Sequence, residues 1–166
     1  ITCRDWSSDV CSSDLKHPGT LLFGVSGHVN KPGVYELETG TPLINIINDY
    51  CGGVTGGKDI KMVIPGGSSM PPLTKEEVMS VKMDNESLKA IGSSIGTAGV
   101  IVMNEDTDLV KILIKIAHFY YHESCGQCTP CREGTGWLLR MLKRIDEGKG
   151  RIEDLDLLIN VSENIE

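Results

Sequence analysis

Leu21-Leu22-Phe23-Gly24-Val25-Ser26-Gly27-His28-Val29-Asn30-Lys31-Pro32-Gly33-Val34-Tyr35-Glu36-Leu37 contains two short β-rich runs, 21–25 and 33–37. Between them Asn30-Lys31-Pro32-Gly33 is a turn, in which proline fixes one φ and glycine frees the next, so the stretch predicts a hairpin. Downstream, Thr41 is a good N-cap and Pro42 suits the first helical position. Leu43, Ile46, Ile47 and Tyr50 then recur at helical spacing until Gly52-Gly53 stops the helix. Ile60-Lys61-Met62-Val63-Ile64 follows as a third strand. Hairpin, helix and further strand in that order predict a small β-grasp domain, a mixed sheet folded across one helix.

Pro65-Gly66-Gly67-Ser68-Ser69-Met70-Pro71 admits two readings. Its amides could face an anion, or the glycines could serve a tight connection; the second is the simpler. Cys51 reads as a small buried apolar residue and His28 as a hairpin residue. After Pro72 a charged connector leads to Val81-Lys82-Met83, a helical patch from Asn85 to Ile91 and a compact strand, Val100-Ile101-Val102-Met103. From Asp106 the chain reads as helical, with Asp106 or Thr107 as cap. Leu109, Ile112, Leu113, Ile116 and Tyr120 form one apolar stripe; Trp137, Leu138, Met141, Leu142 and Ile145 form a second; Leu155, Leu158 and Ile159 begin a third. Three helices on short links predict a bundle. The fold class is therefore α+β: a β-grasp domain over 16–75, a connector with short strands over 76–105 and a helical domain over 106–166.

Cys125, Cys128 and Cys131 lie between the first two helices as C-x-x-C-x-x-C, within Glu123-Ser124-Cys125-Gly126-Gln127-Cys128-Thr129-Pro130-Cys131-Arg132-Glu133-Gly134. Three thiolates at that pitch can curl around one inorganic centre, and a cubane iron–sulfur cluster takes four. No cysteine follows Cys131, so the fourth ligand is expected either from a partner or from beyond Glu166. Zinc is the first rival, although its usual pattern is two separated ligand pairs. His118 and His122, one helical turn apart, could supply nitrogen to it. A disulfide between such near neighbours would close a small strained ring. Thr129-Pro130 reads as N-cap and N1 of the second helix, which would aim free amides at an anionic cluster. Arg132 would act in the same sense, or else pair with Glu133 or Glu123. Gly134 and Gly136 inside the helix cost stability unless close approach is needed.

Composition narrows the function classes. The 166 residues carry a net charge of −7, with sixteen basic residues scattered among twenty-three acidic ones, which argues against a nucleic-acid surface. No apolar run reaches the length of a membrane span, so membrane association is expected only through partners. Residues 1–15, ITCRDWSSDVCSSDL, carry a near repeat, Ser7-Ser8-Asp9-Val10 and Ser12-Ser13-Asp14-Leu15, without amphipathic period. They resemble translated sequencing-adapter read-through, the alternative being a disordered native tail, and are set aside from the fold.

The run from His122 through Cys125, Cys128 and Cys131 to Gly134-Thr135-Gly136-Trp137 resembles the signature of the NADH-binding flavoprotein subunit of respiratory complex I, the F subunit of bacterial NADH-quinone oxidoreductase. Ile64 to Pro71 is similar to the loop of that family's soluble-ligand-binding β-grasp (SLBB) domain, and Gly99 to Met103 to the strand before its helical bundle. The resemblance covers residues 16–166 and implies the following. Cys125, Cys128 and Cys131 match three of four ligands of a [4Fe-4S] cluster, with Ser124, Gly126, Gln127, Thr129 and Arg132 beside it. The cluster takes electrons one at a time from a reduced flavin. FMN and NADH belong to an N-terminal domain that is not in this sequence, so no catalytic residue is named here. The fourth cysteine is expected soon after Glu166. Partners are the other members of the NADH dehydrogenase module, especially its small (E) and large (G) iron–sulfur subunits. The location is peripheral, on the cytoplasmic side of the bacterial inner membrane or the matrix side in mitochondria.

Two other readings remain. Flavoprotein subunits of NAD-linked hydrogenases and formate dehydrogenases resemble the same cysteine pattern. From a different class, the chain would be a β-grasp ligand-binding module with a zinc-stapled helical tail.

Overall fold

The computed structural model describes residues 19–165; the segment 1–15 lies outside the described residues. The chain divides into two compact units, one ending at Asp106 and the other beginning at Thr107.

The first unit is a five-stranded mixed sheet in the order β2-β1-β5-β3-β4. Strands β1 (Thr20–Gly27) and β2 (Gly33–Glu38) form the expected antiparallel hairpin, with Phe23 opposite Tyr35. β3 (Ile60–Ile64) pairs antiparallel with the short β4 (Leu73–Thr74). The segment read as a connector holds β5 (Gly99–Asn104), the central strand, parallel to β1 and antiparallel to β3. β5 has strands on both edges, and its Val100 and Val102 are fully buried.

The helix across the sheet departs from the expected form in two ways. Thr41 does not cap it: its hydroxyl donates to the Glu38 carbonyl at 2.7 Å, and Pro42, with extended ψ of 133°, occupies the N-cap position. The α-helical turn α1 (Leu43–Asn45) then runs into a π turn, Ile46–Tyr50, closed by Cys51 N–H donating to Ile46 C=O at 3.1 Å. A π turn takes in one residue more than an α turn. Leu43, Ile46 and Ile47 are buried as expected, but the next core position falls to Cys51 and leaves Tyr50 exposed. These residues pack with Phe23, Val63, Leu73, Val78, Met83 and Leu88 into one core. Full burial of each such side chain contributes roughly 1.5–3 kcal/mol.

Two short helices border this core, α2 (Lys75–Ser80) and α3 (Asn85–Ala90). Asp84 caps α3, accepting from Ser87 N–H at 2.7 Å. At the start of α2, Glu77 accepts from both the amide and the hydroxyl of Thr74, at 2.7 and 2.9 Å, and these two bonds hold its carboxyl below the usual range. A carboxyl depressed in the folded state contributes stability above its unfolded pKa and loses that contribution as pH falls through the folded value. Glu77→Gln is therefore expected to lower the neutral plateau and so flatten the acid limb of stability against pH, with little change at the acid end, measured by circular dichroism at fixed denaturant.

The Pro65–Pro71 loop is a tight connection. Gly67 N–H donates to Gly99 C=O at 2.8 Å and Met70 N–H to Gly67 C=O at 2.9 Å, so these amides serve the backbone. A methyl group on Gly66 would stand 2.4 Å from the Ile95 carbonyl oxygen. Only glycine lets the two loops approach this closely.

The second unit holds three helices, α4 (Leu109–Glu123), α5 (Thr129–Asp146) and α6 (Glu153–Glu163). Asp108, rather than Asp106 or Thr107, caps α4 by accepting from Val110 and Lys111 amides. Met141 and Leu142 are buried as the second stripe implied, but the rest of the buried face differs from the expected stripes. Ala117, Leu139 and Leu142 are buried together with Ile114 and Leu158 packed against them. Leu113, Trp137, Leu155 and Ile159 stay about half exposed. Lys111, Lys115, His118 and His122 recur along one exposed side of α4, and within the remaining apolar arc the small Ala117 permits the close contact. Gly134 lies against Val161 and Ile165 of the α6 region, and Gly136 against the Tyr121 ring, which accounts for glycine inside α5. Asp154 ties α5 to α6 through Arg144, and also accepts from Arg151 N–H at 2.8 Å. Among the described residues no helix is long and apolar enough to cross a membrane.

Candidate functional site

The link between α4 and α5 runs over residues 124–128. Ser124 ends α4 in an extended conformation (φ −61°, ψ 123°). Gly126 turns the chain back with φ of +76°, in the left-handed region that favours glycine. Cys128 is the N-cap of α5 (φ −87°, ψ 123°), one residue earlier than the sequence pattern implied, which puts Thr129 and Pro130 at the first two helical positions and Cys131 at the third. The Cys128 carbonyl accepts the first helical bond, from Arg132 N–H at 2.9 Å. The amides of Thr129 and Cys131 precede that bond and point out of the helix end, whose partial positive charge favours an anion.

The candidate ligands differ in environment. Cys125 and Cys128 are exposed and Cys131 is half-buried; all three are free thiols. Cys131 is the most constrained, its sulfur 3.4 Å from Ser124 Oγ and its carbonyl accepting from the Thr135 hydroxyl at 2.7 Å. Gly126 N–H donates to the same Ser124 oxygen at 3.3 Å. Arg132 joins loop to helix: Nη1 donates to the Gly126 carbonyl at 2.9 Å and Nε to Glu133 at 3.1 Å. Both ends of the Arg132–Glu133 pair are about half exposed, so the pair itself adds little stability, and the bond to Gly126 gives Arg132 its structural effect. Glu123 is engaged by His122 at 2.8 Å. Gln127 and Thr129 are exposed on the loop.

Among the described residues no three His, Cys, Asp or Glu side chains are gathered closely enough to hold an ion. The donor chemistry nevertheless fits a thiolate-bound cluster: three free soft sulfurs, a hydroxyl on one of them, and a positive helix end beneath. His118 and His122 stack on each other at 6.4 Å between ring centroids, both exposed.

Beside the loop lies an open depression of about 250 Å³ lined by Tyr121, Ser124, Arg132, Glu133, Gly136 and Arg140. The sequence reading missed Tyr121 and Arg140 as neighbours of the cysteine loop. The signal for Arg140 was available in the spacing, because Arg132, Gly136 and Arg140 recur every four residues on one face of α5, whereas Tyr121 comes from α4 and left none. Cys51, by contrast, is fully buried in the first unit, and burial pushes its thiol up. It is a core side chain, as its sequence context implied.

Comparison with known proteins places these two units. Residues 21–111 match the model of the SLBB domain, and residues 111–166 match the NADH-ubiquinone oxidoreductase-F iron–sulfur binding region. The F subunit of NADH-quinone oxidoreductase from Rickettsia bellii is 50% identical over 149 residues, 89% of this chain and 36% of that protein. An F subunit of the same enzyme from Rhizobium meliloti is 45% identical over 149 residues, 89% of this chain and 34% of that protein. The chain thus spans about a third of the length of the curated relatives it matches. A solved structure of an NAD+-reducing [NiFe]-hydrogenase in the air-oxidized state matches with a TM-score of 0.75 and 31% identity, covering 87% of this chain and 24% of that one. With an SLBB domain matching more than half its length and an iron–sulfur binding region following it, this chain belongs to the SLBB-domain family and is a homologue of the F subunit of NADH-quinone oxidoreductase.

Proposed function

We propose that this chain is the cluster-holding part of an electron-input subunit of NADH:quinone oxidoreductase, with Cys125, Cys128 and Cys131 as ligands of a [4Fe-4S] cluster. The observation that carries the reading is the three-thiol loop at the N-terminal end of α5, inside the residues that match the iron–sulfur binding region. Such a cluster supplies one-electron transfer, converting a two-electron donor into single steps. The residues here hold and orient: thiolates bind, the Thr129 and Cys131 amides offset negative charge, Gly126 turns the loop, and Arg132 pins it. Gln127 fills the exposed turn between the first two cysteines. The fourth ligand is not among the described residues.

In this proposal NADH and FMN are bound by a domain outside these residues, and catalysis belongs to the whole subunit. The partners are the small (E) and large (G) iron–sulfur subunits of the NADH dehydrogenase module. The complex carries the subunit peripherally on the cytoplasmic side of the membrane. Residues from 106 onward form the iron–sulfur domain and those from 16 the SLBB-type domain.

The test is metal and sulfide content of the full-length subunit purified without oxygen. About four iron and four acid-labile sulfide per chain, with an electron paramagnetic resonance signal on reduction, are expected for this cluster type. Stoichiometric zinc without labile sulfide would replace the proposal with a zinc-stapled β-grasp module. The second reading, the flavoprotein subunit of an NAD-linked hydrogenase, draws on the 31% identical hydrogenase structure. Genes for quinone-module subunits beside this one favour the first, and hydrogenase or formate dehydrogenase genes the second.

A further inference from the structure

Ser124 stands out among the residues of the loop because its hydroxyl is bonded on both sides. Its oxygen accepts from Gly126 N–H at 3.3 Å and lies 3.4 Å from Cys131 Sγ. With the amide hydrogen directed at the oxygen, the hydroxyl hydrogen is available for the sulfur. A metal-bound thiolate can only accept, so once Cys131 is a ligand the direction of both bonds is set: Gly126 N–H to Ser124 O–H to Cys131 sulfur. Bonds in series polarise one another, and a donor to a charged acceptor is the stronger kind. Neither end of this relay is loose. Arg132 Nη1 holds the Gly126 carbonyl at 2.9 Å, and the Thr135 hydroxyl holds the Cys131 carbonyl at 2.7 Å. Thr135 is itself buried in α5, so the backbone that carries the sulfur is fixed from the helix side.

We infer that Ser124 is a positioning residue that sets the reduction potential of the cluster through a hydrogen bond to the Cys131 thiolate; this rests on the proposed cluster assignment. Adding one electron raises the negative charge shared by the ligand sulfurs. A donor aimed at one of them stabilises the reduced form more than the oxidised form, so the hydroxyl holds the midpoint potential up. The competing account is local: a serine that merely closes a turn through the Gly126 amide. That role would affect how the loop folds and how much cluster it holds, but not the potential of the cluster it does hold.

The experiment compares wild type, Ser124→Ala and Ser124→Thr in the full-length subunit within its complex. Iron-to-protein ratio and a redox titration followed by electron paramagnetic resonance are measured on each. Expected are unchanged iron content with a lowered midpoint in Ser124→Ala, and a return to the wild-type midpoint in Ser124→Thr, which keeps the hydroxyl. A Ser124→Ala cluster at the wild-type midpoint would overturn the inference. If Ser124→Ala holds no cluster while Ser124→Thr holds it, the hydroxyl acts on the fold of the loop, as the competing account requires, and the inference is overturned. A wild-type protein without iron and sulfide sinks the cluster assignment first, and is told apart by the absence of any signal to titrate.

Discussion

Gly27→Ala is expected to cost the β-grasp unit about 3–5 kcal/mol, a large share of the 5–15 kcal/mol by which a domain of this kind is stable. Two effects add at this position. Gly27 has φ of +91°, where an ordinary side chain costs of order 1–3 kcal/mol. A methyl group there would also stand 2.2 Å from the carbonyl oxygen of Val102 and 2.9 Å from its nitrogen. Neither atom can yield, because Val102 is fully buried in the central strand and its carbonyl already accepts from His28 N–H at 2.8 Å. Relief requires β1 and β5 to part, an overpacking cost of about 1–3 kcal/mol more. Gly53→Ala supplies the control, since Gly53 has φ of +82° but nothing within 4 Å of the added methyl. Urea unfolding should show a clearly smaller loss for Gly53→Ala; equal losses would mean that the contact with Val102 contributes nothing.

Cys131→Ala is expected to abolish cluster binding in the full-length subunit, whereas Cys51→Ala leaves iron content unchanged. The two sulfurs have opposite surroundings. Cys131 stands at the third position of α5, half-buried, between a hydroxyl and a positive helix end. Loss of one thiolate removes a bond that no neighbouring sulfur replaces, because the other described cysteine outside the loop, Cys51, is buried in the first unit. Cys51 lies in an apolar core where burial pushes its thiol up, so it stays protonated and inert at neutral pH. Its truncation should appear only in stability, by about 1 kcal/mol for a small buried side chain. Iron analysis and urea unfolding on both variants separate the roles. Iron retained in Cys131→Ala would remove that residue from the ligand set.

Local chemistry made much of this legible in advance. The hairpin could be read because Pro32-Gly33 and the alternating runs around it restrict the backbone residue by residue, and β3 because its apolar run is short and bounded. The cysteine loop could be read because ligand geometry leaves a spacing in the chain. What escaped were features that depend on distant partners. Nothing local to Leu43–Tyr50 says that the turn opens to a π turn, since the extra residue is absorbed to bring Cys51 rather than Tyr50 into a core built by other strands. The α5 stripe held at Met141 and Leu142, while Leu113, Trp137, Leu155 and Ile159 stayed exposed for the same reason. In α4 the polar side of Lys111, Lys115, His118 and His122 leaves a broad apolar arc, and the contact with Leu139 and Leu142 selects the part of it through Ala117. The depression beside the loop escaped because Tyr121 and Arg140 meet only when α4 and α5 pack.

The position of β5 also bears on how the protein is made. The strand that completes the sheet is the last of the five to be synthesised, yet it must slide between β1, the first, and β3. Until Asn104 has left the ribosome the hairpin and β3 have no common neighbour, and the edges of both are open to other chains. Long-range parallel pairing of this kind is slow to form because most of the unit's length must be looped before it yields contacts. A nascent chain stalled before residue 99 would therefore present two unpaired strand edges, those of β1 and β3.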